Sequence, residues 1–316
     1  MAYFPDPQRD TYLPVLLRST SLTTAKAFSA ETVDPIKRET IFLNTLAVLS
    51  VREYLSILGL ETNVAQGDSW QPSLRLIDNP ADLYLVERGY LECIPTQADA
   101  NTVLVSPEVQ LRRLAYIIVE LQEPFKEARL IGFGKLSEIV QSTLSKTELH
   151  PISELPQYLS QFHHSRIGQW FQDHAESIWQ QPENVVATRY PAFRFRSQSG
   201  PILRKARSIS FQTDIGSPLK LGLVIAAKPS EESICISAQL HPGVSETSAS
   251  SINPTLPPGA SITLLSDELE TIQSISARSV PQDTFIQLRP FECSPEDQYQ
   301  IRVSLGEQRV IEILSF

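Results

Sequence analysis

The amino-acid pattern predicts an α+β protein in two parts, an N-terminal antiparallel sheet with packed helices followed by an all-β immunoglobulin-like sandwich. Three observations predict it. An apolar stretch with helical spacing runs from Pro35 to Leu58. Two pairs of short apolar runs follow between Asp82 and Phe133, each pair closed by a turn. From about Arg207 onward the helical period vanishes and eight short alternating runs replace it. These changes divide the chain into an α+β domain over 1–185, a basic connector over 186–206 and a β-sandwich over 207–316.

Thr11–Arg18 (TYLPVLLR) reads as a short strand, and Pro14 places it at an edge or a bend because Pro cannot donate to a ladder. A helix starts after Ser21 or Thr23 and carries Ala25, Lys26, Ala27 and Phe28. Asp34-Pro35 is an N-cap followed by Pro at the first helical position, where its missing N–H costs nothing. It opens the longest helix, which stops at Gly59. Val48, Val51, Leu55 and Leu58 recur there at steps of three and four, and Phe42, Leu46 and Leu49 widen the stripe, so this helix is central to its domain. Asp82–Val86 and Tyr90–Pro95 flank Glu87-Arg88-Gly89 as a hairpin, and Ala115–Leu121 pairs with Ala128–Phe133 across Glu123-Pro124. Short connections favour antiparallel pairing throughout. Residues 135–150 read as polar loop.

Leu155, Leu159, Phe162, Ile167, Trp170, Phe171 and Ile178 then recur at spacings of three or four. That predicts a helical pair covering the sheet, broken near His163-His164-Ser165. The sandwich strands are read at Ser208–Thr213, Leu219–Ala227, Ser233–Leu240, Ser261–Leu265, Ile272–Ala277, Thr284–Leu288, Gln298–Leu305 and Val310–Leu314.

Hydrophobic residues make up 41% and charged residues 20% of the 316, enough apolar surface for a sizeable core. Twenty-three Pro against twelve Gly fit a chain with many strand ends. The net charge of −9 argues against wholesale binding to nucleic acid or to an anionic membrane. The richest apolar run, Ile41 to Leu60, is interrupted by Asn44, Arg52 and Glu53, so it reads as a buried helix and not as a membrane span. Met1–Asp6 lacks the basic and apolar regions of a secretory signal. Cys93, Cys235 and Cys293 lie far apart with no CxxC spacing, which points to buried thiols in a reducing, cytoplasmic setting.

Assembled in order, the runs IFLNTLAVLSVREYLSILGLET (41–62), DSW followed by Pro72, LYLVERGYLECIP (83–95) and YIIVELQEPFKEARLIGF (116–133) make a pattern. With LPPG, LLSD, IQL and VSLG near the end, it resembles the cyanobacterial domain-of-unknown-function 1822 family over nearly the whole chain. The resemblance implies no assigned reaction. It does imply a regulatory setting, since genes of that family often lie near those for RNA-polymerase sigma factors and caspase-like or sensor proteins.

No catalytic or metal-binding pattern emerges from the residues. A helical metal site wants ligands three or four apart, but His163 and His164 are adjacent and His174 lies well beyond them, while His150 and His241 stand alone. Surface or capping roles fit them better. No G-x-S-x-G turn presents a nucleophile; Ser199-Gly200 and Gly216-Ser217 lack its flanks. Cys93 falls inside an expected strand and reads as a packed thiol. Gly132-Phe133-Gly134-Lys135 lacks the spacer and hydroxyl of a phosphate loop and reads as a hairpin end. Glu120, Glu123 and Glu127 read as solvated turn acids. The expectation is a protein with no enzyme activity, no metal and no cofactor.

Two features remain as binding candidates. Arg189, Arg194, Arg196, Arg204, Lys205 and Arg207 fall between 183 and 210, where Glu183 is the only acid, and Tyr190, Phe193 and Phe195 are interleaved with them. Arg among aromatics can neutralise the acidic body of its own protein, meet an acidic partner bidentately, or grip phosphate and stack bases. The three readings are ranked in that order. Trp70, in Gly67-Asp68-Ser69-Trp70-Gln71-Pro72, either packs under its polar turn or anchors a partner, and packing ranks first. The function expected is that of a regulatory or adaptor protein acting through protein–protein contacts. The alternatives are nucleic-acid contact through the connector and a hydrolase whose residues meet only in three dimensions.

Overall fold

A computed structural model describes residues 12–107, 112–172, 178–187, 202–213, 218–244 and 254–316. The chain forms two compact units that divide at Ser160/Gln161, ahead of the boundary read at 185.

The first unit contains strands β1 (Leu13–Leu16), β2 (Thr62–Asn63), β3 (Asp82–Leu85), β4 (Gly89–Thr96), β5 (Thr102–Leu104), β6 (Arg113–Leu121), β7 (Glu127–Gly134) and β8 (Thr143–Ser145). Its helices are α1 (Ser19–Ser29), α2 (Pro35–Ile57), α3 (Pro72–Ile77) and α4 (Leu155–Leu159). The Asp34 carboxylate accepts the Ile36 N–H at 2.9 Å, so α2 begins where its cap and Pro35 dictate. It ends just before Gly59, whose φ of +73° is the left-handed conformation that terminates helices. Ile41, Leu46, Val48, Val51 and Leu55 are buried, and α2 packs on α1, β4 and β6.

Six strands form the sheet in the order β1-β7-β6-β4-β3-β2. Both expected pairs are present and antiparallel, β3 with β4 and β6 with β7. The pairing of β4 with β6, however, is parallel, which corrects the all-antiparallel expectation. The chain between Thr96 and Arg113 is long enough to cross over, and it carries β5 away to pair with β8. Strand β6 is buried on both faces. Tyr116 and Ile118 belong to a small core with Val103, Val105 and Leu144, while Ile117 and Val119 are buried on the face opposite them. That double burial explains why AYIIVEL reads as a continuous apolar run. The region 135–150 is more than loop, since His150 exchanges two backbone hydrogen bonds with Phe133. Gly132 and Gly134 permit this approach: a Cβ on Gly132 would stand 2.6 Å from the His150 carbonyl and one on Gly134 2.4 Å from Leu144.

The second unit contains β9 (Phe162–Arg166), β10 (Leu203–Phe211), β11 (Leu219–Pro229), β12 (Ile234–Pro242), β13 (Ser261–Leu265), β14 (Thr271–Ser276), β15 (Ile286–Gln287), β16 (Phe291–Cys293), β17 (Gln298–Leu305) and β18 (Gln308–Ser315). One sheet runs β10-β11-β12-β15, with β16 also on β12; the other runs β14-β13-β17-β18-β9. Leu223, Ile225, Ile236 and Leu240 of the first share one core with Ile262, Leu264, Ile301 and Val303 of the second. The expected helical pair is replaced here. Its helix stops after Leu159, and Phe162–Arg166 joins the second sheet parallel to β18. The α+β class therefore holds, with mixed sheets in both units.

Candidate functional site

Trp70 sits in a loop that buried charge holds in place. The Asp82 carboxylate is fully buried and accepts the Asp68 and Ser69 N–H groups at 2.9 and 2.8 Å, while the Ser69 hydroxyl donates to the Asp82 carbonyl at 2.9 Å. Gly67 lets the loop come close, since a Cβ there would lie 3.0 Å from that same carbonyl. Arg113 stands 4.0 Å from Asp82 and donates to Glu92 at 2.9 Å, and Glu92 also accepts the Ala81 N–H at 2.8 Å. Burial pushes the Glu92 carboxyl up, against the pull of Arg113. Burial and then the Asp82 charge raise the Asp68 carboxyl.

On the other side of the loop Arg75 donates to the Ser69 carbonyl at 2.7 Å and grips Glu31 with two hydrogen bonds from one guanidinium nitrogen, at 2.8 and 2.9 Å. Its guanidinium lies 3.7 Å from the centre of the Phe28 ring, and Phe28 meets Trp70 edge-on at 5.3 Å. Trp70 is thus half-buried against Phe28, between the two roles the sequence allowed.

Of the connector residues, Arg189, Tyr190, Phe193, Arg194, Phe195 and Arg196 lie outside the described residues. Arg204, Lys205 and Arg207 lie in β10. Arg207 is buried and donates to the buried carboxylate of Glu312. The second oxygen of Glu312 accepts the Ser165 hydroxyl at 2.6 Å, and Ser165 in turn accepts the Trp179 indole N–H at 2.8 Å. Lys205 is also buried, with its ammonium 5.0 Å from the centre of the Trp170 ring, and Trp170 packs on Trp179 at 4.8 Å. Two of the six cations are therefore interior groups that tie β10 to β18 and to residues 165–179. This corrects the expectation that Lys205 and Arg207 offer a surface to a protein or a phosphate: both are buried, and Arg207 is already engaged by Glu312. Arg204 is half-exposed.

The histidines divide in the same way. His164 and His241 are buried, and desolvation lowers each imidazole to about 4, so both are neutral near pH 7. His164 hydrogen-bonds Ser315 at 3.0 Å; His241 hydrogen-bonds Gln239 at 2.8 Å and stacks on Phe285. His150 meets Glu138 at 2.7 Å, and Glu138 also accepts the Lys135 N–H at 2.8 Å. Burial opposes the Glu138 charge, but the hydrogen bonds from His150 and Lys135 hold its carboxyl below the usual range. This His–Glu pair is partly exposed, each side chain at 29%, and it ties the two ends of residues 135–150 together, while the His150 backbone bonds to Phe133 fasten the segment to β7. Burial drives the Cys93 thiol well up, as expected of a packed cysteine. Glu120, Glu123, Lys126, Glu127 and Arg129 line a shallow hollow of 180 Å³ at the β6–β7 turn, where Arg129 pairs with both Glu120 and Glu127. Among the described residues no group of three or more His, Cys, Asp or Glu is placed to hold a metal ion.

Sequence reasoning missed Asp82, Glu92, Arg113 and Glu312, yet a signal exists for each acid. Asp82 opens DLYLV, Glu92 interrupts YLECI and Glu312 interrupts VIEIL. A carboxylate inside an apolar strand must find a partner there.

Fold and charge together define a two-unit α+β protein whose buried polar side chains are used as internal ties. The chain matches the model of the family described as Protein of unknown function (DUF1822) over residues 15–206 and 159–315, and it belongs to that family. No curated protein and no solved structure matches it significantly. No described helix is long and apolar enough to cross a membrane.

Proposed function

We propose that the chain is a non-enzymatic regulatory or adaptor protein acting through protein–protein contacts, with its contact surface on the first unit at the start of α2. One observation carries this reading. Val33, Ile36 and Ile77 are 92%, 79% and 68% exposed, and Lys37, beside Ile36, donates to the Ile77 carbonyl at 3.4 Å, which links the start of α2 to the end of α3. Scattered apolar residues on a surface need no explanation, but gathered ones mark interaction sites. The frame beneath them is rigid, fixed by the Asp34 cap and the Glu31–Arg75 pair, and half-buried Trp70 belongs to the same frame. A preordered apolar surface binds without losing loop entropy first.

The test is capture from an extract of the native host, for which the family resemblance suggests a cyanobacterium and a sigma-factor-linked or stress-response setting. Wild-type chain should retain one protein in stoichiometric amount, and Ile36→Glu with Ile77→Glu should release it. Retention unchanged by the two substitutions would sink the reading. The same reading places the protein in the cytoplasm, supported by the buried thiols of Cys93 and Cys293. It takes the second unit as an immunoglobulin-like sandwich, supported by two sheets that share one core.

A further inference from the structure

The loop that carries Trp70 is tied down by a charge that one of its own residues repels. Two hydrogen bonds fasten it, from the Asp68 and Ser69 N–H groups to the buried Asp82 carboxylate at 2.9 and 2.8 Å. Backbone donors aimed at a carboxylate make strong ties. Yet the first of these N–H groups belongs to an aspartate, so seating the loop also brings a second carboxylate toward Asp82. Asp68 is half-buried there, and among the described residues no hydrogen bond or ion pair reaches its carboxylate.

The charges around Asp68 do not balance it. Arg113 of β6 is the cation that bears on it, but that guanidinium donates to Glu92 of β4 at 2.9 Å and stands 4.0 Å from Asp82 of β3. Three carboxylates thus share a single guanidinium. Asp78, at the end of α3, adds a fourth negative charge. Arg75 of α3 also lies beside the loop, but its charge is paired with Glu31, and its bond to the loop goes to the Ser69 carbonyl at 2.7 Å. Tyr90 turns its ring to Arg113, 5.5 Å away.

A like-charge pair out of water is relieved by a proton on one member or by moving the two apart. Burial and the Asp82 charge favour the proton on Asp68, against the pull of Arg113. With the proton on, nothing opposes the tie to Asp82. With it off, opening the loop is what lets the Asp68 carboxylate reach water.

We propose that residues 67–70 form a proton-operated latch, seated on Asp82 when Asp68 is protonated and loosened when Asp68 ionises. Trp70 rides on the latch and meets Phe28 edge-on at 5.3 Å, so acid holds the indole against Phe28 and neutral pH frees it. The sign is that of linkage. A carboxyl raised in the folded chain adds stability that is complete below its ordinary value and is lost as the pH climbs through the raised one. The latch goes beyond the contact surface at α2 and needs no partner to operate.

Amide exchange of the free full chain from about pH 4 to about pH 7 tests it, read at Asp68 and Ser69 as protection factors so that the intrinsic pH dependence of exchange drops out. Protection of both amides should fall severalfold across that range, while amides at the centre of β6 do not follow. The Trp70 indole resonance, assigned with Trp70→Phe, should shift over the same range. Asp68→Asn keeps the N–H and removes the charge, and it should hold both amides at their acid level of protection throughout. Protection that is flat across the range in the wild-type chain overturns the proposal, and so does a fall that Asp68→Asn leaves intact.

Discussion

Arg207 and Glu312 are both buried and joined to each other as an ion pair, and this combination makes each of them costly to lose alone. Removing one partner strands the other's charge in the interior, a penalty of about 3–5 kcal/mol. Arg207→Met should therefore lower the free energy of unfolding by about that amount in urea titrations, whereas Arg207→Met with Glu312→Leu should restore much of it because no charge is then left unmet. His164 and His241 give a second residue-scale expectation. Burial lowers both to about 4 from an ordinary 6.5, so between those values the unfolded chain binds protons that the folded chain refuses. Stability is then complete above pH 6.5, falls as the pH drops toward 4, and loses about 3 kcal/mol per histidine over that window. Urea midpoints recorded across that range should slope accordingly, and His241→Gln should flatten the curve. A curve of equal slope in the variant would show that the imidazole is charged inside the fold.

At the scale of elements, two glycines separate conformational need from packing need. Gly59 ends α2 at φ +73° with open space where a Cβ would stand, so Gly59→Ala costs only the left-handed strain, about 1 kcal/mol. Gly132 has an ordinary φ, but a Cβ would press on the His150 backbone; Gly132→Ala should cost about 1–3 kcal/mol and loosen residues 135–150 from β7. Thermal unfolding of the two variants should rank them in that order. The sequence announces the first glycine, because a helix stop has a local signature, and hides the second, because the chain that crowds it lies far along. The same distinction governs which elements could be read. The capped helix α2, the hairpin β3–β4 and the strands of the second unit from β10 onward, β16 excepted, announce themselves through cap, turn and alternation. β9 does not: its residues His163, His164 and Ser165 look like a polar break until Glu312, Trp179 and Ser315 are found around them. The parallel step from β4 to β6 was equally silent, since the pairing partner of a strand is not written in the strand.

For the molecule as a whole, the decisive question is where one folding unit ends and the next begins. The candidate site was only half legible for the same reason: an arginine-rich stretch looks like a surface from its neighbours in sequence, and Arg207 becomes an interior group only once Glu312 is brought beneath it. The change of pattern near Arg207 suggested that the second unit starts there, but Ile167, Trp170 and Trp179 belong to its core and β9 completes its second sheet. A fragment beginning at 207 would take Ile167, Trp170 and Trp179 out of the shared core, strip Glu312 of Ser165 and leave β18 as a bare edge. A fragment beginning at Gln161 keeps all of these. Residues 161–316 should therefore unfold cooperatively with dispersed amide resonances, whereas 207–316 should aggregate or bind hydrophobic dye as a collapsed, unpacked chain. Cooperative folding of the shorter fragment would mean that β9 and the two tryptophans decorate the second unit without helping to hold it together.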